Sequence, residues 1–366
     1  MFNHFFEALQ IKPSISRAII NSSILTGAVF LSGLHQGAQA QSKSIVAVEP
    51  LTCDLVSAIA PSSSQVTCLI DRKQDVHDVK ISPRQASALK NASQIFTLGQ
   101  EMTPAMKKWL NNPITVVIGV SAIDIDDHHD DHGGGHSAEK HDDHGGGHSA
   151  EKHDDHHDDG HDGHDHHLHG GLDPHVWHDP HNIIKMSKII SDSFKKDFPL
   201  FDRKNRKTIN KKYQSVASIL EDLDQWIQKQ VATIPSSQRT IVSKHKAMEY
   251  YGDAFGLKTL SLLDFLGHSS SLRPRTIASL VGELRNNNVK ALFPEQKPPS
   301  KLIRNLSRQT SIPLASKHIY VDGLMPKGNT ISVSVHNTCT IVNSLGGSCD
   351  KSKGQLLEKK WAALKQ

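Results

Sequence analysis

Short apolar runs alternate with helix-like patterns along the first part of the chain. The runs predict strands over residues 45–48, 66–70, 94–98 and 115–118. Between them, the pattern predicts helices over residues 51–60, 83–92 and 104–110. Ser82 suits the N-cap of the second helix, and Pro83 suits its first position, where the N–H that proline lacks has no helical partner. Strands separated by helices predict a parallel sheet built from βα units.

Two long helical segments and a second alternating set of elements follow. The helices are predicted over residues 180–198 and 202–231, and in the longer one apolar side chains recur every three or four residues. Further strands are predicted over 240–242, 259–263 and 289–293, with helices over 247–255, 275–287 and 299–309. The pattern predicts an α/β fold of two lobes, each with a mostly parallel β-sheet flanked by helices, joined by one long rigid helix. A ligand is expected in the cleft between the lobes.

The first 40 residues have the pattern of an export signal. Lys12 and Arg17 precede an apolar run over residues 24–31, and Ala38-Gln39-Ala40 fits a cleavage site. A membrane anchor or an amphipathic helix is the alternative, but the run is shorter than the span of about 20 residues that a bilayer requires. No lipobox cysteine lies nearby. We expect cleavage after Ala40, export, and no stable membrane insertion of the mature chain.

The predicted organisation has four parts and one insertion. Residues 1–40 are the signal peptide, 41–200 the first lobe, 201–231 the linking helix and 232–366 the second lobe. Within the first lobe, the tract 124–169 holds 15 acidic side chains against two lysines, a net charge of −13, whereas the whole chain carries +4 and the remainder therefore +17. The tract repeats the sequence DDHGGGHSAEKH in tandem. Because it has almost no apolar side chains to bury, it is predicted to be a disordered insertion.

The tract is also rich in histidine. It contains 15 of the 25 histidines of the chain: His128, His129, His132, His136, His141, His144, His148, His153, His156, His157, His161, His164, His166, His167 and His169. Imidazole and carboxylate groups are ligands for divalent metals, so the tract is predicted to bind metal weakly and to release it when the imidazoles gain protons. Antenna, reservoir and sensor are all compatible with this composition.

The four cysteines fall into two local pairs in the mature chain. An even number of cysteines in an exported protein favours disulfide bonds, here Cys53–Cys68 and, with less support, Cys339–Cys349. Metal ligation is the alternative, but neither pair has the CxxC spacing of a zinc knuckle. We therefore expect two structural disulfides.

Three histidines outside the tract follow predicted strands or lie in loops. His77 and His245 each come soon after a strand, and His175 lies between the tract and a helix. A hydrogen-bonded loop histidine is the usual interpretation of any one of them. Since strand ends of a two-lobed α/β protein converge on the cleft, the three together predict a metal site, and three imidazoles with one oxygen ligand suit zinc.

Two acidic residues could supply the oxygen ligand, and two more histidines lie nearby. Asp322 is a late-loop carboxylate of the second lobe, and Glu101 is the first-lobe alternative; either could instead be a solvated loop acid. His178 and His181 follow His175 closely. They could be additional ligands where the metal enters, or ordinary loop histidines.

The chain resembles the metal-binding solute-binding proteins of bacterial ABC importers, the group that includes ZnuA-type zinc receptors and manganese receptors. The resemblance rests on segments that span nearly the whole mature chain: QDVHDVKISPRQASALKNA, QIFTLGQEMTPAMKKWL, DPHVWHDP, VSKHKAMEYYGDAFGL and LFPEQKPPSKLIRNLSRQT. DPHVW and the SKHKAMEYY block are the most specific. By this resemblance, His77, His175 and His245 match the metal-ligand positions. A histidine at position 245 and a His-rich insertion before DPHVW resemble the zinc branch.

The resemblance implies a periplasmic, monomeric zinc receptor. It would capture Zn²⁺ in the cleft and deliver it to the inner-membrane ABC permease of a zinc importer. Manganese or another divalent metal is the alternative cargo. A sequestering protein that acts through the tract is a second alternative.

Other functional classes have little support. An enzyme with catalytic zinc would need a general base and a substrate pocket, and the chain has no HExxH, GxSxG or Walker motif. Nucleic-acid binding could be argued from the +17 remainder. However, its basic residues are spread out and the chain is expected to be exported. We therefore expect neither catalysis nor a nucleic-acid partner.

Overall fold

Four parallel strands form the first sheet. The computed structural model describes residues 43–123, 172–197, 202–266 and 274–365. The strands are β1 (Lys43–Ala47), β2 (Ser64–Cys68), β3 (Gln94–Thr97) and β4 (Thr115–Val117), in the order β2-β1-β3-β4. They are the four strands predicted from the sequence, with ends shifted by at most two residues. The central strand β3 is buried along its whole length, as its short apolar run indicates.

Ten α-helices lie in the described residues. They are α1 (Pro50–Ile59), α2 (Pro83–Lys90), α3 (Pro180–Asp197), α4 (Arg203–Val231), α5 (Glu249–Phe255), α6 (Leu262–Leu266), α7 (Pro274–Asn286), α8 (Lys301–Thr310), α9 (Thr330–Ser344) and α10 (Lys351–Ala363). Three short 3-10 turns are formed by Pro104–Trp109, Val176–His178 and Ser236–Gln238. None of these helices is long and apolar enough to cross a bilayer.

Local capping fixes where two helices begin. Ser82 is the N-cap of α2, as predicted, and forms a capping box with Gln85, while Pro83 opens the helix. Asp202 caps α4 by accepting a hydrogen bond from the backbone N–H of Asn205. The apolar stripe of α4 is buried between its neighbours, so burial of one face stabilises this long helix.

The second sheet is smaller than the sequence predicts. It contains the parallel pair β5 (Thr240–Ser243) and β6 (Lys258–Ser261). Strand β6 ends before residue 263, its predicted end, because the chain turns into α6 at Leu262. The strand predicted over residues 289–293 is wrong: only a single bridge pairs Leu292 with Leu314, although Phe293 donates its N–H to the carbonyl of Val242. Pro294 and Pro313 flank this bridge and have no N–H to extend it. The apolar residues of the segment 289–293 are buried, but the segment does not form a continuous series of strand hydrogen bonds.

The last two helices pack on the middle of the chain. Helix α9 contacts α4 and α1, and α10 contacts α9 and α4. The carboxylate of Asp54 on α1 has no exposed surface and accepts hydrogen bonds from Thr330 and from the indole N–H of Trp361. Lys365 completes this buried group. The C-terminal helices are therefore tied to α1 through one buried carboxylate.

Both predicted disulfide bonds are confirmed. Cys53–Cys68 joins α1 to the end of β2, and Cys339–Cys349 joins α9 to the turn before α10. The first bond lies directly before the loop that carries His77. It restrains the start of that loop, because Cys68 is the last residue of β2.

Candidate metal centre

Four side chains from four separate loops meet at one point. His77 comes from the loop after β2, His175 from the segment before the 3-10 turn, His245 from the loop after β5, and Asp322 from the loop between α8 and α9. One possible ligand atom from each lies within 4.8 Å of all the others. His175 and His245 are only 3% and 7% exposed. The set thus combines residues from the first and second halves of the chain.

The three imidazoles converge on a single oxygen. The Nε2 atoms of His77, His175 and His245 lie 3.3, 3.1 and 3.2 Å from Oδ1 of Asp322. Each ring therefore presents the same nitrogen to the same place. Three imidazole nitrogens and one carboxylate oxygen are the number and type of ligands that a tetrahedral zinc site uses.

Asp173 orients the His175 ring. Its Oδ1 lies 2.7 Å from Nδ1 of His175 and accepts the backbone N–H of the same residue at 3.0 Å. This local turn explains the Asp-Pro-His order of the DPHVW segment, since an Asp side chain readily bonds the backbone two residues ahead. With Nδ1 engaged, Nε2 is left facing Asp322, which is how a carboxylate fixes the ligand nitrogen of a histidine.

Glu295 does the same for His245 from a different loop. Its Oε2 lies 2.8 Å from Nδ1 of His245. Its Oε1 accepts the backbone N–H groups of Lys244 and His245 at 2.7 and 3.2 Å. The Glu295 side chain is only 9% exposed, so these bonds are shielded from water. One carboxylate thus fixes both the backbone and the ring of His245.

Sequence reasoning did not identify Asp173 or Glu295. A signal existed for each: Asp173 stands two residues before a candidate ligand, and Glu295 follows a buried apolar run in LFPEQ.

The backbone of His77 is held by a neighbouring side chain, because its N–H donates a hydrogen bond to Oδ1 of Asp75 at 2.9 Å. Its side chain is 19% exposed, the most of the three histidines.

The cluster lowers the pKa of its carboxylate and raises the pKa of two of its imidazoles. Burial alone would raise the pKa of Asp322, but hydrogen bonds with His175, His245 and His77 hold it well below its usual value. Burial would lower the pKa of His245, but the carboxylates of Asp322 and Glu295 raise it to about 10. The pKa of His175 is raised in the same way, against its burial, by Asp173 and Asp322. A metal that binds Nε2 of His245 at neutral pH must therefore displace a proton from that ring.

His178 lies beside this cluster but outside it. Its buried Nε2 lies 3.1 Å from the backbone carbonyl of Val321, so it donates a hydrogen bond to the residue before Asp322. Burial and the neighbouring charge of His175 lower the pKa of His178 to about 4, which keeps the ring neutral. His178 thus supports the loop that presents Asp322.

The other predicted metal ligands lie elsewhere. Glu101 is absent from the four-residue group among the described residues, and its buried Oε2 lies next to Gly99. His181 is exposed and lies beside Asp179 and Asp224. The fifteen histidines of the tract 124–169 are outside the described residues.

Comparison with protein families gives one extensive match. The family model described as "Zinc-uptake complex component A periplasmic" (ZnuA) matches residues 45–344, which include all four residues of the cluster.

The names of individual relatives refer to different metals. The chain is 28% identical to the manganese-binding lipoprotein MntA of Halalkalibacterium halodurans over 179 residues, 48% of this chain and only 58% of that protein. It is 22% identical over 291 residues to the iron ABC transporter substrate-binding lipoprotein MtsA of Streptococcus pyogenes, covering 80% of this chain and 84% of the relative.

A solved structure shares the fold. The periplasmic zinc-binding protein TroA from Treponema pallidum superposes with a TM-score of 0.62 at 17% identity, covering 83% of this chain and 99% of TroA. At this identity the similarity concerns the fold, and it confirms the predicted α/β architecture.

Proposed function

The chain belongs to the ZnuA family of periplasmic zinc-uptake components, and from this premise we propose that it is an exported receptor for zinc. It binds one Zn²⁺ between His77, His175, His245 and Asp322 and delivers the ion to an ABC importer in the inner membrane. The observation that carries this proposal is the convergence of three Nε2 atoms on Oδ1 of Asp322.

The ligand types favour zinc over manganese. Zinc is a borderline-soft ion that imidazole suits, whereas manganese prefers carboxylate, carbonyl and water oxygens. Three of the four ligand atoms here are imidazole nitrogens. Relatives named for manganese or iron leave those ions as the alternative cargo. No catalytic step is proposed for this site.

The distribution of the proposed ligands over the two halves of the chain provides a route for releasing the ion to the importer. His77 and His175 come from the first half of the chain, and His245 and Asp322 from the second. Separation of the two halves would remove two ligands from the ion at once, and two ligands hold zinc far less tightly than four. A permease that binds the receptor and separates the halves would therefore release the ion.

The tract 124–169 is proposed to bind further zinc weakly. Its histidines and aspartates supply many ligands of the right types, and its net charge of −13 raises the local concentration of cations. A sequestering protein that acts through this tract is the second candidate function. It is favoured by the 15 histidines in the tract and predicts many weak sites without a tight one.

Competition against a chelator tests the metal choice. The purified mature chain is titrated with zinc and with manganese in the presence of a chelator of known affinity, and His245→Ala is titrated beside it. We expect one site that binds zinc more tightly than manganese. The His245→Ala variant should lack this site. Equal or tighter binding of manganese at that site would assign the receptor to manganese instead.

A further inference from the structure

Asp179, His181 and Asp224 form a second cluster of possible metal ligands. Nδ1 of His181 lies 3.3 Å from Oδ1 of Asp179 and 3.7 Å from Oδ1 of Asp224. The three atoms all lie within 4.8 Å of one another. Asp179 and His181 flank the first residue of α3, and Asp224 lies on α4. The cluster therefore bridges two packed helices and shares no residue with the cleft cluster.

Asp224 is a buried carboxylate with an oxygen facing this cluster. Its side chain is 9% exposed, and its Oδ2 accepts a hydrogen bond from the Gln228 amide at 2.8 Å. In the described part of the chain, no group donates a hydrogen bond to its Oδ1; the nearest nitrogen of the cluster is His181 Nδ1. Burial raises the pKa of Asp224, the His181 ring lowers it, and the nearby Asp179 carboxylate raises it further. Oδ1 is therefore the oxygen of Asp224 that a cation could contact beside His181.

The other two residues are held in place but open to water. Oδ1 of Asp179 accepts the backbone N–H of His181 at 2.8 Å, which fixes the carboxylate at the start of α3. The Asp179 side chain is 20% exposed and that of His181 is 59% exposed. One imidazole nitrogen and two carboxylate oxygens can therefore bind an ion whose remaining positions are filled by water.

We infer that Asp179, His181 and Asp224 form a second binding site for a divalent transition metal of the zinc class. It is weaker than the cleft site, because only three protein ligands are available and one is exposed. The positive end of the α3 dipole also disfavours a cation at this position. The inference stands on this cluster alone and does not depend on the function proposed for the cleft.

Histidine footprinting tests this site in the full mature chain. Diethylpyrocarbonate modifies accessible imidazoles, and peptide mass spectrometry reports the rate at each histidine separately as zinc chloride is added. We expect zinc to slow modification of His181 several-fold at concentrations above those that protect His77, which is the most exposed histidine of the cleft cluster. His318, a half-buried histidine outside both clusters, is the control and keeps its rate.

Asp224→Asn separates metal binding from other causes of protection. The substitution keeps the size of the side chain but removes the buried charge, so zinc protection of His181 should be lost while zinc protection of His77 persists. Two results would overturn the inference: no effect of zinc on His181, which leaves an ordinary hydrogen-bonded histidine, or equal protection in Asp224→Asn, which assigns it to another part of the chain. Absence of zinc protection at His77 alone would instead count against the cleft site.

A second measurement needs no variant, should Asp224→Asn fail to fold. Crystals of the unmodified chain soaked in zinc chloride are measured at the zinc absorption edge. An anomalous peak between Asp179, His181 and Asp224 supports the site, and its absence while the cleft is occupied contradicts it.

Discussion

Two carboxylates outside the four-residue cluster orient two of its histidines. Asp173 and Glu295 engage Nδ1 of His175 and His245 and leave Nε2 of each ring facing Asp322, where the proposed metal would bind. The histidines themselves could be chosen from the sequence, because they follow strands or precede a helix at the cleft. The carboxylates left a weaker signal: Asp173 stands two residues before His175, whereas the pairing of Glu295 with His245, 50 residues away, leaves no periodic pattern.

Substitution of Glu295 by Gln is expected to weaken zinc binding by about 10–100-fold. The amide no longer provides two carboxylate oxygens for the ring and the backbone of residues 244 and 245, so His245 loses its fixed orientation. Chelator competition measures the change. Glu221→Gln, an exposed residue on α4, is the matched control and should bind like the unmodified chain. Unchanged affinity in Glu295→Gln would show that this carboxylate does not orient the ligand.

Zinc binding is expected to release protons at neutral pH and to strengthen as pH rises. In the metal-free protein the pKa of His245 is about 10, above the ordinary 6.5, so the ring is protonated at pH 7 and its Nε2 proton must leave. The affinity gain with pH therefore continues until about pH 10. Calorimetry in buffers of different ionisation enthalpy counts the protons, and we expect at least one per zinc. A count of zero would contradict the charge state described for the cluster.

At the scale of elements, the βα alternation was predictable and the C-terminal helices were not. Strands β1–β4 have short apolar runs, and α2 has a capping signal at Ser82. Helix α9 instead consists largely of β-branched residues, in the sequence TISVSVHNTCTIVNS, which by local preference suit a strand. Its helical form depends on the capping box at Asn329 and on packing against α4, and packing is not visible in a sequence.

Substitution of Asp54 by Ala is expected to destabilise the fold by about 3–5 kcal/mol. The change removes the buried acceptor of Thr330 and Trp361 and leaves Lys365 without its carboxylate. Urea unfolding followed by circular dichroism measures the loss, with the exposed Asp253→Ala as control. Zinc affinity of the folded variant should be unchanged, because Asp54 is not part of the metal cluster. A loss below 1 kcal/mol would show that α9 and α10 are held by apolar packing alone.

At the scale of the whole molecule, the four-residue cluster is assembled from both halves of the chain. Arg72, in the loop after β2, donates hydrogen bonds to the carbonyls of Met325 and Gly328, in the loop that carries Asp322. The loop that carries His77 is thus tied directly to the loop that carries the oxygen ligand. This contact holds the two loops together without involving the four side chains of the cluster.

Substitution of Arg72 by Ala is therefore expected to weaken zinc binding by about 1 kcal/mol, roughly fivefold. The effect should appear mainly as faster zinc release, since the substitution favours separation of the two loops. Stopped-flow transfer of zinc to an excess of chelator measures this rate. Lys73→Ala removes an exposed charge from the neighbouring position and is the control. Equal release rates in the two variants would exclude a role for Arg72 in closure.

The most direct test is a zinc titration by calorimetry of the mature chain and of the same chain without residues 124–169, each with and without His245→Ala. We predict one tight site in both chains, its loss in both His245→Ala forms, and loss of only the weaker binding when the tract is removed. Disappearance of the tight site together with the tract, or its persistence in His245→Ala, would contradict the assignment of the receptor site to His77, His175, His245 and Asp322.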